Sequence, residues 1–216
     1  MNTLLKKPII FALRLVGLYP LYSLKIAGPI KDAGWFRSFY EERPVDADGN
    51  PIPWITYPAI DFISKRVRND MCVFEYGSGG STLWWAQRVR SVVSVEHEKT
   101  WYERVKKTLS DNVSLYQVDL DTNGMYAQKI REYDHAFDVV VLDGRDRVNC
   151  AKNSIDALKH DGIIIWDNTE RKEYEDGYRF LGDHGFRRIQ FTGLAPLINY
   201  TSETSIFYRT NNCFGI

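Results

Sequence analysis

The chain has 216 residues, 44% hydrophobic and 26% charged, which is enough for one domain with a substantial buried core. Lys plus Arg equals Asp plus Glu at 28 each, so there is no basic surplus to neutralise a phosphate backbone, and nucleic acid is not an expected partner. Cys72, Cys150 and Cys213 form neither a metal-ligand spacing nor a disulfide framework, which points to a reducing, cytoplasmic compartment.

Residues 1–30 differ from the rest. Lys6 and Lys7 precede an apolar run at residues 8–13, Arg14 interrupts it, and a second apolar run follows at residues 15–22. Arg14 and Pro20 split the stretch, and no small-residue cleavage site follows, so it is neither a secretory signal nor a spanning helix. Two readings stand. In one, an amphipathic segment lies on the inner membrane surface with Lys6, Lys7, Arg14 and Lys25 near headgroups. In the other, a helix packs on the domain or on a second copy in a homodimer.

Residues 31–53 read as a polar connector, because Pro44, Pro51 and the Asp48-Gly49 pair prevent an uninterrupted helix. The expected division is therefore an apolar helix and connector over residues 1–56 and a main domain over 57–216. Ile60, Ile63 and Val67 have helical spacing at the start of that domain.

Val73-Phe74-Glu75-Tyr76 is a short strand pattern, followed by Gly77-Ser78-Gly79-Gly80-Ser81-Thr82 and a helical pattern. Glycines let the backbone turn sharply and approach a ligand, and the free amides of the helix start face the space above the turn. A dinucleotide site would carry glycine where Thr82 stands. Ser81 is small and also suits a helix cap.

Residues 91–95 form the next strand pattern, ending in Glu96, about 20 residues after Gly77, where a carboxylate accepts hydrogen bonds from ribose hydroxyls. His97 falls beside the adenine edge or is a plain loop residue. A helix is expected over residues 100–109, with Trp101, Val105 and Leu109 on one face. A strand from Val113 ends near Asp119, which accepts from the adenine amino group or serves a turn with Asp121, Thr122, Asn123 and Gly124. A short helix is expected over residues 126–133.

Val139, Val140, Val141 and Leu142 are apolar without a break, as in a strand buried on both faces, and Asp143 ends that run. A helix is expected over residues 149–159. A second buried strand over 162–168 ends in Asp167-Asn168, a polar helix spans 170–181, and strands at 185–191 and 205–209 follow with no helix between them.

Glu75 two places before Gly77, with Gly-Ser-Gly after it, resembles motif I of the class I S-adenosylmethionine (SAM) methyltransferases. Ser81 stands where that motif usually has a third glycine. The resemblance covers about residues 57–209. It implies an α/β, doubly wound, Rossmann-like seven-stranded sheet, mostly parallel with an antiparallel last strand, here preceded by an N-terminal helical extension. It also implies SAM as cofactor, held by Glu75, Tyr76, Gly77, Ser78, Gly79, Ser81, Glu96, His97 and Asp119. Glu75, Glu96, Asp119, Asp143 and Asp167 fall at five consecutive strand ends, where ligands of such sheets sit.

The acidic residue after the fourth strand and the Asp-Asn after the fifth resemble the ligand set of catechol-type O-methyltransferases. That resemblance implies Asp143, Asp167 and Asn168 as ligands of Mg²⁺ or another divalent ion. The alternative is a metal-free Asp143 acting as base or substrate anchor, with Asp167 capping the next helix. The catechol enzymes place lysine three residues after the first ligand, where this chain has Asp146. Arg145 and Arg147 flank it, to supply charge or to bind an acidic group of the acceptor. Asp143-Gly144 is similar to the macrolide-sugar O-methyltransferases. The expected reaction is O-methylation of a small-molecule or glycan hydroxyl, with Asp143 and Arg145 as catalytic candidates and residues 31–57 and 193–203 shaping the acceptor pocket. A non-catalytic SAM-binding or partner-binding domain and a nicotinamide-dependent reductase are the rival readings.

Overall fold

Alternation along the central strands sets the architecture. Val73, Val139, Val141, Ile163 and Ile165 are buried on one face of the sheet, and Phe74, Tyr76, Val140, Leu142, Ile164 and Trp166 on the other. A sheet apolar on both faces has to be covered on both. The computed structural model describes residues 3–120 and 124–216, with the backbone alone for residues 3–7. The expected turn at Asp121, Thr122 and Asn123 lies outside the described residues.

The strands are β1 (Cys72–Tyr76), β2 (Ser91–Glu96), β3 (Val113–Gln117), β4 (Phe137–Leu142), β5 (Leu158–Asp167), β6 (Arg187–Gly193) and β7 (Ser202–Tyr208). They form one sheet in the order β3-β2-β1-β4-β5-β7-β6. The first five run parallel, and β7 is antiparallel to both β5 and β6. The doubly wound sheet read from the sequence is therefore the observed one, with its order reversing between β1 and β4.

Helices α1 (Thr3–Leu15), α2 (Tyr19–Ile26), α3 (Pro29–Asp32) and α4 (Trp35–Glu41) precede the sheet, followed by α5 (Tyr57–Ser64), α6 (Gly80–Ala86), α7 (Lys99–Lys106), α8 (Met125–Gln128), α9 (Arg147–Asn153) and α10 (Glu175–Asp183). The connector is more ordered than its polar sequence implies. Trp35, at the start of α4, donates from Nε1 to Ile198 O at 2.7 Å. A bridge between Val45 and Pro51 closes a small hairpin, inside which Asp46 Oδ1 accepts from Asp48 N and Asn50 N.

Ile52 and Ile55 enter the same core as Ile63, Trp84 and Trp85, so the end of the connector is part of the main domain's packing. Thr56 binds the far end of the chain, its N donating to Thr204 Oγ1 and its Oγ1 to Phe191 O.

Several boundaries differ from the sequence reading. The helix expected over residues 149–159 stops at Asn153, and the strand expected from 162 begins at Leu158. Ser154 Oγ donates to Cys150 O at 2.6 Å as α9 ends, and Leu158 already pairs with Phe137. The helix expected over 170–181 is a 3-10 turn at Lys172–Tyr174 followed by α10. No helix among the described residues is long and apolar enough to cross a membrane.

Candidate functional site at the carboxyl ends of the strands

The glycine turn sits between β1 and α6. Gly77 and Gly79 have φ of 92° and 154°, conformations that glycine reaches without strain. A Cβ at Gly79 would meet the Trp101 ring at 3.5 Å, and Trp101 Nε1 donates to Ser78 O at 2.7 Å. The indole of α7 thus lies across the turn. Sequence reasoning placed Trp101 only on a packing face; its position three residues into the helix after β2 is the signal that brings it near the first turn.

Glu75 does not face the space above the turn. Its Oε2 accepts from Thr82 Oγ1 at 2.5 Å and from Ser94 Oγ at 3.2 Å. Thr82 Oγ1 in turn accepts from Gly79 N at 3.0 Å. Ser94 is the register partner of Glu75 across β1 and β2, so the carboxylate clamps the turn to the sheet from below. Burial raises its pKa to about 7, opposed by the hydroxyls of Ser81, Thr82 and Ser94. Glu75 Oε1 has no hydrogen-bond partner.

The Tyr76 side chain is also spent away from the turn. It is fully buried, packs against Phe74 and Tyr126, and donates from Oη to Ala127 O at 2.6 Å. The expectation of cofactor contact from this side chain is therefore corrected: a phenol on the even face of β1 points into the core. Its backbone carbonyl still accepts from Asp143 N, which fastens the β4 end beside the turn.

Glu96 faces the turn directly. Its Oε2 accepts from Ser78 N at 3.1 Å and Ser78 Oγ at 3.0 Å, and its Oε1 accepts from His97 N at 2.8 Å and Glu98 N at 2.9 Å. His97 Nδ1 stands 3.0 Å from Glu96 Oε1 without hydrogen-bond geometry, and the ring meets Tyr126 edge-on. Asp119 is exposed two residues beyond β3, accepting from Gln117 Nε2 at 2.5 Å. The same Gln117 Nε2 lies 3.5 Å from His97 O, which puts Asp119 on the His97 side of the site.

The residues fit SAM in donor chemistry. Glu96 already accepts four hydrogen bonds, so a ribose diol would take the place of the Ser78 hydroxyl, a donor of the same kind.

At the β4 and β5 ends, Leu142 pairs with Trp166, so Asp143 and Asp167 leave adjacent strands side by side. The side chain of Arg147 lies among the three expected metal ligands. Its Nη2 donates to Asp143 Oδ1 at 3.0 Å, its Nη1 donates to Asn168 Oδ1 at 3.1 Å and to Asp167 O, and its Nε donates to Gly144 O at 2.9 Å. Asp167 Oδ1 accepts from Thr204 Oγ1 at 2.6 Å, its register partner on β7. Asn168 adopts a left-handed φ of 57°, which asparagine tolerates, and donates from Nδ2 to Ser202 Oγ.

This set does not fit a divalent ion. Arg147, only 8% exposed, already supplies the positive charge that Asp143 and Asn168 address. Burial raises the pKa of Asp143 and of Asp167; the neighbouring carboxylate raises Asp167 further, and Arg147 opposes the rise in both.

Arg145 is exposed on the wall of an open cleft of about 340 Å³ that runs from Gly144 to Val148 and across to Arg171, Glu173 and Tyr174. The Arg145 guanidinium has no partner among the described residues. Arg171 is loosely engaged, 4.0 Å from Glu170 Oε1 and 3.4 Å from Tyr174 Oη.

No family model and no curated protein sequence matches the chain. Its backbone is similar to spermidine synthase from Thermotoga maritima, at 17% identity and a TM-score of 0.54 over 67% of this chain and 55% of that one. It is similar to a SAM-dependent O-methyltransferase from the same organism, at 16% identity and a TM-score of 0.54 over 73% and 67% of the two chains. A methyltransferase-like protein from Silicibacter pomeroyi matches at 20% identity and a TM-score of 0.52, over 73% and 89%. The chain spans about half the length of the spermidine synthases it matches. These likenesses, with the strand order and the reversed β7, show the class I SAM-dependent methyltransferase fold.

Proposed function

We propose that the chain is a SAM-dependent methyltransferase acting without a metal on a small-molecule or glycan hydroxyl whose acceptor carries an acidic group. The observation that carries the reading is the pair of constellations at one sheet edge: Glu96 facing Ser78 across the glycine turn, and Asp143 held by Arg147 at the neighbouring strand end. SAM, when bound, supplies an electrophilic methyl group on a sulfonium.

Gly77, Ser78, Gly79, Glu96, His97 and Asp119 would hold it, with Glu75 and Ser81 shaping the turn from below. Asp143 keeps about a quarter of its side chain exposed, enough to meet an acceptor hydroxyl. Its raised pKa suits a group that takes up the hydroxyl proton near neutral pH. Arg147 fixes the orientation of that carboxylate, and Arg145 with Arg171 would bind the acidic group of the acceptor.

A nicotinamide reductase is disfavoured, because Thr82 fills the third glycine position and is bound to Glu75. A SAM-binding domain without turnover differs from an enzyme only in outcome. Thermal shift separates the cofactors: S-adenosylhomocysteine should stabilise the protein and NAD should not. Label transfer from methyl-labelled SAM, tried on hydroxylated acceptors with and without carboxylate or phosphate groups, then tests turnover. Arg145→Glu with Arg171→Glu should raise KM for the anionic acceptors at least about tenfold while leaving the S-adenosylhomocysteine shift intact. Stabilisation by NAD alone would overturn the assignment, and stabilisation by S-adenosylhomocysteine without label transfer would favour the binding domain.

A further inference from the structure

Residues 1–31 contain Lys6, Lys7, Arg14, Lys25 and Lys31 and no acidic residue, in a chain whose formal net charge is zero. The remaining residues therefore carry a net charge of −5. The same segment is unusually apolar at its surface. Ten of the sixteen large apolar side chains left exposed among the described residues lie within residues 9–40. Phe11, Leu15, Val16 and Leu21 are 64–73% exposed, and no residue from 8 to 33 is buried. Water is a poor environment for so much contiguous apolar surface, which marks an interaction face.

We propose that α1 and α2 form a peripheral docking surface for an anionic lipid bilayer, with their apolar side chains in the acyl boundary and their basic side chains at the headgroups. Helices of 13 and 8 residues are about 20 and 12 Å long, too short for a hydrocarbon core of about 30 Å, so they lie on the surface rather than cross it. Charge complementarity selects the partner. Basic residues are attracted to an anionic leaflet and the acidic remainder of the molecule is repelled, so only this end approaches the membrane.

A second copy is the poorer occupant, because it would bring two uncompensated basic segments face to face. The surface is held to the catalytic domain through α4, whose Trp35 binds the loop between β6 and β7.

The test uses the full chain and sedimentation with vesicles, and reads nothing from catalysis. The protein should sediment with phosphatidylglycerol–phosphatidylcholine vesicles at least about tenfold more than with phosphatidylcholine alone, and high salt should weaken the binding. Phe11→Glu with Leu15→Glu and Leu21→Glu should abolish sedimentation while the stabilisation by S-adenosylhomocysteine or the near-ultraviolet dichroism of the folded protein is unchanged. Lys25→Glu with Lys31→Glu should reduce it on anionic vesicles. Equal binding to neutral vesicles, no binding by the wild-type chain, or a stable dimer that ignores vesicles would overturn the proposal. Unfolding of the triple variant would also overturn it, by showing that the side chains are packed rather than exposed.

Discussion

Arg147 Nη2 lies 3.0 Å from Asp143 Oδ1, four residues apart at the junction of β4 and α9. The same guanidinium ties Asp143 to Asp167 and Asn168, so one side chain organises the ends of two parallel strands. Arg147→Met should cost about 3 kcal/mol in denaturant unfolding, toward the lower end for breaking a buried pair, because Asp143 is 23% exposed. Arg147→Lys should recover part of the loss, since an ammonium keeps the charge without the fork of donors. Turnover by the wild-type protein should be indifferent to chelator, and a requirement for added Mg²⁺ would remove Arg147 from this role.

Glu75 predicts a slope of stability against pH. Its folded pKa of about 7 lies above the ordinary 4.5, so between those values the folded state binds more protons than the unfolded one. Its contribution to stability therefore falls as pH rises through that window, by about 3 kcal/mol in full. Urea unfolding near pH 5 and near pH 8 should show this fall in the wild type and a smaller one in Glu75→Gln, which keeps the shape and removes the charge. Equal slopes would show that Glu75 does not titrate there.

Loss of Glu96 should act on the cofactor. Glu96→Gln should weaken S-adenosylhomocysteine binding at least about tenfold, since hydrogen bonds to a charged group contribute about 1.5–3 kcal/mol. Some stability should go with it, because Ser78, His97 and Glu98 all donate to this carboxylate. Calorimetry on the folded variant checks both.

Gly79→Val should abolish cofactor binding. Its φ of 154° disfavours a branched side chain, and the added atoms would press on the Trp101 ring. Trp101→Phe keeps the ring but loses the bond to Ser78 O, and should weaken binding by a smaller factor. A Gly79→Val protein that binds S-adenosylhomocysteine normally would place the cofactor elsewhere.

The central sheet was legible because its signals are local and redundant. Val139 to Leu142 can only be a strand buried on both faces, and the glycine turn marks the end of β1 without reference to anything distant. The boundary between α9 and β5 was hidden, because no glycine or proline interrupts the chain between Asn153 and Leu158, and the helix yields to pairing with Phe137, which no local signal reports. Trp35 to Glu41 looked like connector because its helix is fixed by Ile198, 163 residues away.

In the site, positions were readable and orientations were not. Glu75 and Glu96 have the same chemistry at neighbouring strand ends, yet one clamps the turn from beneath and the other faces it. Arg147 was visible as a flanking charge, but its partners Asp167 and Asn168 lie 20 and 21 residues on, and only the register of β4 with β5 brings them to it.

Thr56 and Trp35 are tied to residues near the end of the chain, and this has a consequence during synthesis. Neither Phe191, Ile198 nor Thr204 exists when the connector leaves the ribosome, and at about 5–20 residues per second the wait is on the order of ten seconds. The connector should therefore dock last, although it is made first. For that whole interval the apolar helices ahead of it are not yet tethered to the sheet, and a membrane or a chaperone in reach meets them before the domain is complete.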